Sequence, residues 1–300
     1  MIPEPVAQGT VPFGEWETWF RISGDMTSRL TPLVVVHGGP GSTHDYLLSI
    51  AALSEGGRRV IHYDQLGSGH STHLTHKGAD FWTVQLFLDE LDNLISRLGI
   101  GDRYHMLGQS WGGMLGAEHA IRRPKGLRSL VISNSPASME LWVSESKRLR
   151  LAMPEVQRDA LDRHEAAGTL DHPDYLAATA SYYDRHVCRV VPNPPEVLRS
   201  NELLAEDPTV YHVMNGPNEF LCVGTLRDWT VVDDVHQITA PTLLVSGRYD
   251  EATPVTIQPF FDNIPDVRWE IFESSSHNPF VEEPARYLEV VDAFLVEHDD

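Results

Sequence analysis

The sequence predicts an α/β protein with a mostly parallel central sheet, helices on both faces and a helical cap inserted between strands. Three observations carry this prediction. Short β-branched runs alternate with longer amphipathic stretches, glycine-rich turns follow the runs, and the alternation stops near residue 136 and resumes near 236. Pro32 to His37 (PLVVVH) is a strand run ending in HGGPG at 37–41, and Arg59 to Tyr63 is a second, ending in DQLGSGHS at 64–71. Phe81 to Leu98 then spaces Val84, Leu88, Leu91 and Ile95 as one face of a helix. Tyr104 to Leu107 reads as a strand, Met114 to Ile121 as a helix and Leu127 to Ser133 as a buried strand. Such alternation means βαβ units. Strand runs return at Pro241 to Ser246 and Val267 to Phe272, and a helix over Pro284 to Val296 closes the chain. The core is therefore expected at 1–136 and 236–300. Residues 137–235, charged and punctuated by proline (NPP at 193–195), suit a helical cap over a cleft.

The 300 residues suffice for a core of about 200–250 residues plus that insertion. Lys and Arg number 23 against 43 Asp and Glu, a net charge of −20. A surface that acidic repels phosphate backbones and anionic lipid heads, so neither nucleic acid nor membrane is an expected partner. It attracts cationic substrates, or serves solubility alone. No apolar run reaches ~18 residues, the length that spans a bilayer. The N-terminal MIPEPVAQGT lacks the basic-then-apolar pattern of a secretory leader. Cys188 and Cys222 form no C-x-x-C pair and read as free thiols, and a cytoplasmic protein is expected.

Gly108-Gln109-Ser110-Trp111-Gly112 is G-x-S-x-G, placed after the strand YHML and at the start of a helix. That strand–turn–helix setting is what a nucleophile elbow requires, with Ser110 on the turn and glycines where a side chain would crowd strand and helix. A serine hydroxyl needs a base to take its proton. Fifteen histidines make abundance uninformative, but chain order is informative: acid, then histidine, each after a strand that follows the serine. His277 follows the strand VRWEIF, and Asp250 follows PTLLVS, with Glu251 as the neighbouring rival for the acid. An oxyanion needs backbone donors. Trp111, next after the serine, supplies one; Gly39 of HGGPG supplies the other, unless that segment is only a tight turn set by Pro40. DQLGSGHS is assigned to structure, with Asp64 and Ser71 bonding a loop. No histidine spacing suggests a metal site, and no cofactor is expected.

HGGPG, YDQLGSG, GQSWGG, MNGPNEF at 214–220 and SGRYDEATP at 246–254 occur in one order, and the chain from about 15 to 295 resembles the proline iminopeptidases, the tricorn-interacting aminopeptidase included. The resemblance implies an α/β-hydrolase fold, a triad of Ser110, Asp250 and His277, and oxyanion donors at Gly39 and Trp111. It further implies that Glu219 of NGPNEF and Glu251 grip the free α-amino group of the substrate. Physically this fits, because an exopeptidase must measure one residue from a chain end that carries an ammonium. Two positions depart from the usual pattern: His70 stands where arginine is usual, and Thr230 where an aspartate follows the DW pair. The implied reaction is release of an N-terminal residue, proline or another small apolar one, from short peptides through an acyl-enzyme. An amino-acid amidase or small-molecule esterase would use the same triad. Phe220, Trp229, Tyr182 and Tyr183 are candidates for an apolar pocket, although aromatics in a helical cap more often form core.

Overall fold

The computed structural model describes residues 2–299. Two strands precede the first one read from the sequence. They are β1 (Ala7–Phe13) and β2 (Trp16–Ser23), an antiparallel hairpin closed by the Phe13–Trp16 pair. Gly9 and Pro12 obscure β1 in the sequence, and its place at the sheet edge is where a strand tolerates proline. The strands read from the sequence follow as β3 (Leu33–Val36), β4 (Val60–Asp64), β5 (Tyr104–Gln109), β6 (Leu127–Ser133), β7 (Thr242–Gly247) and β8 (Val267–Phe272). The sheet order is β1-β2-β4-β3-β5-β6-β7-β8, parallel from β4 onward.

Parallel neighbours need crossovers, and helices supply them. α1 (Val84–Arg97) joins β4 to β5, and α2 (Trp111–Ile121) joins β5 to β6. Between β6 and β7 lie α3 (Met139–Leu151), α4 (Glu155–Ala167), α5 (Pro173–His186), α6 (Pro195–Glu206) and α7 (Thr209–Met214). α8 (Pro254–Asn263) joins β7 to β8, and α9 (Pro279–Glu282) and α10 (Pro284–Glu297) close the chain. α1 starts where the Thr83 hydroxyl accepts the Leu86 N–H at 3.2 Å, an N-cap. A 3₁₀ helix, Asp45–Ser54, follows β3.

The strands alternate their side chains between two cores. Val34, Val36, Met106, Leu130, Ile132 and Leu244 face α1, α2 and α8. Leu33, Val35, Leu107, Val131, Leu243 and Val245 face the 3₁₀ helix and α10. Burial on both faces explains the continuous apolar runs in the sequence. A third, smaller core joins Leu149, Leu161, Tyr175, Tyr182 and Phe220, all from the segment between β6 and β7. Among the described residues, no helix is long and apolar enough to cross a membrane.

The chain end is fastened beside the start of β3. Both terminal nitrogens of Arg58, itself buried, meet the Asp299 carboxylate at 2.7 Å, and Nη1 also donates to the Thr31 carbonyl at 2.6 Å. Arg58→Ala strands that carboxylate in a largely covered site, and a loss of about 3 kcal/mol in urea unfolding is expected. A loss below about 0.5 kcal/mol would place the pair with ordinary surface bridges.

Candidate active site

Every predicted site element except Glu219 lies at or just beyond the C-terminal end of a parallel strand, where loops from neighbouring strands converge. Ser110 sits between β5 and α2 with φ 55° and ψ −124°, a conformation that is costly for a residue with a Cβ. The glycines around it are sterically required. A Cβ on Gly108 would lie 2.0 Å from the Gly112 carbonyl oxygen, and one on Gly112 would lie 2.1 Å from that of Val36. The Ser110 N–H donates to the Ser133 carbonyl at 2.9 Å, and its own carbonyl accepts from Gly113 and Met114.

His277 follows β8, and its Nδ1 is 2.7 Å from Asp250 Oδ1. Asp250 is fully wrapped: Oδ1 also accepts the Ala252 N–H at 2.8 Å, and Oδ2 accepts from Asn134 Nδ2 at 2.6 Å. With Nδ1 donating to the carboxylate, Nε2 is left as the basic nitrogen. Burial opposes a charge on the ring, but Asp250 outweighs it, helped by Glu219 and Glu282, so the imidazole pKa is raised. Trp142 packs edge-on against the ring, with centroids 6.1 Å apart. The preceding loop is held by two consecutive carboxylates. Glu282 accepts from the N–H and hydroxyl of Ser276, both at 2.6 Å, and Glu283 accepts from the Ser275 hydroxyl at 2.6 Å.

HGGPG lies against the elbow, since a Cβ on Gly38 would approach Ser110 Cβ to 3.0 Å. Gly39 has φ +109°, where a side chain is strained, and it lines the same cavity as Ser110 and His277. The Trp111 N–H opens the first turn of α2, where helix donors lack intrahelical partners. A relay that sequence reading missed connects these loops. Gly38 N–H donates to Tyr46 OH at 2.7 Å, that hydroxyl donates to Gln109 Oε1 at 2.5 Å, and Gln109 Nε2 donates to the His277 carbonyl at 3.1 Å. Behind the loop, His37 accepts the Gln65 N–H at Nε2, and burial pushes its pKa down to about 4, so it is neutral.

Glu219 lines the cavity, and its carboxylate accepts from Tyr211 OH at 2.7 Å. Glu251 is fully buried next to Asp250, and neither of its carboxylate oxygens has a hydrogen-bond partner among the described residues. Burial raises both pKa values, and repulsion from Glu219 and Asp250 raises that of Glu251 further. Burial raises the phenol of Tyr183, and the two carboxylates raise it further. An unpartnered buried carboxylate is unfavourable unless a proton or a cation reaches it.

Of the four aromatics considered for an apolar pocket, only Tyr183 faces the cavity. Tyr182 and Phe220 belong to the third core, and Trp229 packs on the main core while donating to Glu118 at 2.9 Å. Asp64 accepts the His44 and His70 N–H groups at 2.8 and 2.9 Å, so the DQLGSGHS bend is bonded through its backbone despite His70. Thr230 forms a single antiparallel bridge to Ser138, the N-cap of α3. Of the residues missed, Asn134 had a signal in its place after β6 and Gln109 in its place within the elbow. Tyr46, Trp142 and Tyr211 had none. The fold also brings His164 of α4, His172 at the N-cap of α5 and Asp174 of α5 within 4.8 Å of one another, a proximity that spacing did not reveal. The Arg163 guanidinium lies 3.3 Å from both His164 and Asp174 there, a cation that opposes a metal ion.

A strand–serine–helix elbow on a parallel sheet, with an acid and a histidine after the last two strands, defines an α/β hydrolase, and residues 31–284 match the family model for the alpha/beta hydrolase fold. Within that class the chain belongs to the proline iminopeptidase family. It is 38% identical to a proline iminopeptidase of Lactobacillus delbrueckii subsp. lactis over 98% of this chain and 99% of that one. It is also 38% identical to one of Saccharolobus solfataricus, over 92% and 87%. The crystal structure of a proline iminopeptidase from Mycobacterium smegmatis matches with TM-score 0.92 and 55% identity, covering 98% of this chain and 99% of that one. The crystal structure of VinJ matches with TM-score 0.97 and 55% identity, covering 98% and 100%.

The Tyr46 hydroxyl makes two of the three bonds in the relay. Tyr46→Phe keeps the ring packing and is expected to lower kcat roughly 3–30-fold on an aminoacyl-arylamide, with little change in KM or melting temperature. An unchanged kcat would show that the relay does not position the site.

Proposed function

We propose that this hydrolase of the prolyl aminopeptidase type releases an N-terminal proline, or another small apolar residue, from short peptides, with Ser110, His277 and Asp250 as its triad. Ser110 Oγ attacks the carbonyl of the first residue while His277 Nε2 takes its proton. The N–H groups of Gly39 and Trp111 hold the oxyanion. The C–N bond breaks as His277 returns the proton to the leaving amine, and an acyl-enzyme ester remains. Water then attacks the ester, gives a proton to His277, and Ser110 recovers it as the acid departs. Asp250 keeps the ring oriented and offsets its transient charge.

The observation that carries this reading is the pair of glutamates beside the triad, Glu219 half-buried and lining the cavity and Glu251 fully buried, with both Glu251 oxygens unpartnered among the described residues. A substrate ammonium is the cation such a pair lacks, and its capture sets the distance to the scissile carbonyl. Residues 137–235 are proposed as the cap: α5, α6 and α7 wall the cavity opposite the loops at 38–46, 109–110 and 277–278. The free thiols of Cys188 and Cys222 support a cytoplasmic setting.

Glu219→Gln tests the assignment. A loss of roughly 10–1000-fold in kcat/KM is expected on free-amine substrates, with an N-acetylated ester almost unaffected. Equal losses on both would remove Glu219 from amine recognition. The pH profile of kcat/KM is a second test. His277 acts only when neutral and its pKa is raised, so activity falls on the acid side through a value above the ordinary imidazole figure of about 6.5. The alkaline limb follows the substrate amine and vanishes for an N-blocked ester; a limb that stays in place counts against ammonium binding.

A further inference from the structure

The cavity has a volume of about 460 Å³, much more than one proline ring and its carbonyl occupy. With an ammonium at Glu219 and a carbonyl at Ser110, the end near Tyr183, whose hydroxyl accepts the Glu219 N–H at 3.3 Å, is filled. What remains is the space along α6. That helix presents Val197, Ser200, Asn201, Leu204 and Ala205 to the cavity, at i, i+3, i+4, i+7 and i+8, which is one continuous stripe. The stripe carries no charge. It is fixed to the loop beyond HGGPG through Ser200, whose Oγ lies 3.0 Å from both Ser42 Oγ and Thr43 Oγ1. Among the described residues no lysine or arginine lines the cavity; its charged lining is Asp184 and Glu219, with His212 and His277 as the imidazoles.

We propose that the α6 side of the cavity makes this enzyme selective for substrates whose leaving group is uncharged there, such as peptide amides and longer peptides, and selective against free dipeptides. This rests on the reading that Glu219 and Ser110 engage the amine and carbonyl of the first residue. In a free dipeptide, the carboxylate of the leaving residue falls within the cavity. There it gains no lysine or arginine among the described lining residues, and the carboxylates that line the cavity, exposed Asp184 and half-buried Glu219, repel it within a protein of net charge −20. Amidation removes that charge at almost constant shape. Each added residue moves the carboxylate outward by up to ~3.3–3.6 Å, toward the solvent at the cavity mouth, where Asn201 is exposed.

Pro-Ala-NH2, Pro-Ala and Pro-Ala-Ala-Ala, assayed by release of proline from the full chain, provide the test. The amide is expected to exceed the free dipeptide about 10–100-fold in kcat/KM, mostly through KM, with the tetrapeptide close to the amide. Asn201→Lys, which adds a cation at the mouth, should raise kcat/KM on Pro-Ala more than on Pro-Ala-NH2, and Asp184→Asn should narrow the ratio in the same direction. Equal kcat/KM for amide and free dipeptide in the wild-type chain overturns the selectivity and leaves the aminopeptidase reading standing. Release of proline from none of the three overturns that reading and the selectivity with it.

Discussion

The tight junction of β5 and α2 at Ser110 is the constraint on which the site depends. A residue with a Cβ at φ 55° persists only where its surroundings over-determine it, and here they do so by contact and by hydrogen bonding. Gly108 and Gly112 let the helix start almost touch the strand before it and the end of β3. The Ser133 carbonyl fixes the Ser110 N–H from the adjacent strand. The same turn brings Ser110 to the cavity and makes Trp111 the first residue of α2, where an N–H has no intrahelical partner. The placement of the proposed nucleophile and that of one proposed oxyanion donor are therefore a single geometric fact.

Three carboxylates, the buried and consecutive Asp250 and Glu251 and the half-buried Glu219, are set in different surroundings by their neighbours. Asp250 has donors from Ala252, Asn134 and His277, so its charge is spread over fixed hydrogen bonds. Glu251, one residue on, has its N–H bonded to the His186 carbonyl but no donor for its carboxylate among the described residues. Glu219, brought from the helical segment, has Tyr211 as donor and the cavity as its open side. Satisfied carboxylates orient their partners, whereas an unsatisfied one awaits a cation. This contrast supports the proposed division between orienting the base and binding an amine without reference to the order of residues in the chain.

Chain order and periodicity exposed the parallel part of the fold because doubly buried strands leave long β-branched runs and their crossovers leave helical spacing. β1 and β2 escaped because an edge hairpin carries Gly9 and Pro12 and buries only part of its surface. At the site, Ser110, Asp250 and His277 were legible because each lies just past a strand whose order in the chain is informative. Gln109 and Asn134 occupy equally informative places, but their task depends on which acceptor the amide meets, and that is a tertiary matter. Tyr46, Trp142 and Tyr211 come from helices whose packing direction no local pattern specifies. Glu219 was legible only through the NGPNEF resemblance, since a carboxylate in a charged helical segment otherwise reads as solvated.

The sheet sets the site to within the width of a loop, and polar cross-ties between loops do the rest. Each proposed catalytic group hangs from a different strand: HGGPG from β3, Ser110 from β5, Asp250 from β7 and His277 from β8. Loops alone are softer than the sheet that bears them. The Gly38–Tyr46–Gln109–His277 relay joins the first, second and fourth, and Asn134, with one amide reaching Asp250 and the Ser276 carbonyl, joins the third to the fourth. The four loops are thus cross-linked by hydrogen bonds as well as by the sheet. That coupling fits acyl transfer, in which attack, oxyanion capture and proton return all occur at a single carbonyl and fail if the donors and the base drift apart. The helical segment is bonded to the same loops, α6 through Ser200 to Ser42 and Thr43, and α5 through the His186 carbonyl to the Glu251 N–H. The part of the chain proposed to meet the substrate beyond its carbonyl is therefore coupled to the loops proposed to carry the chemistry.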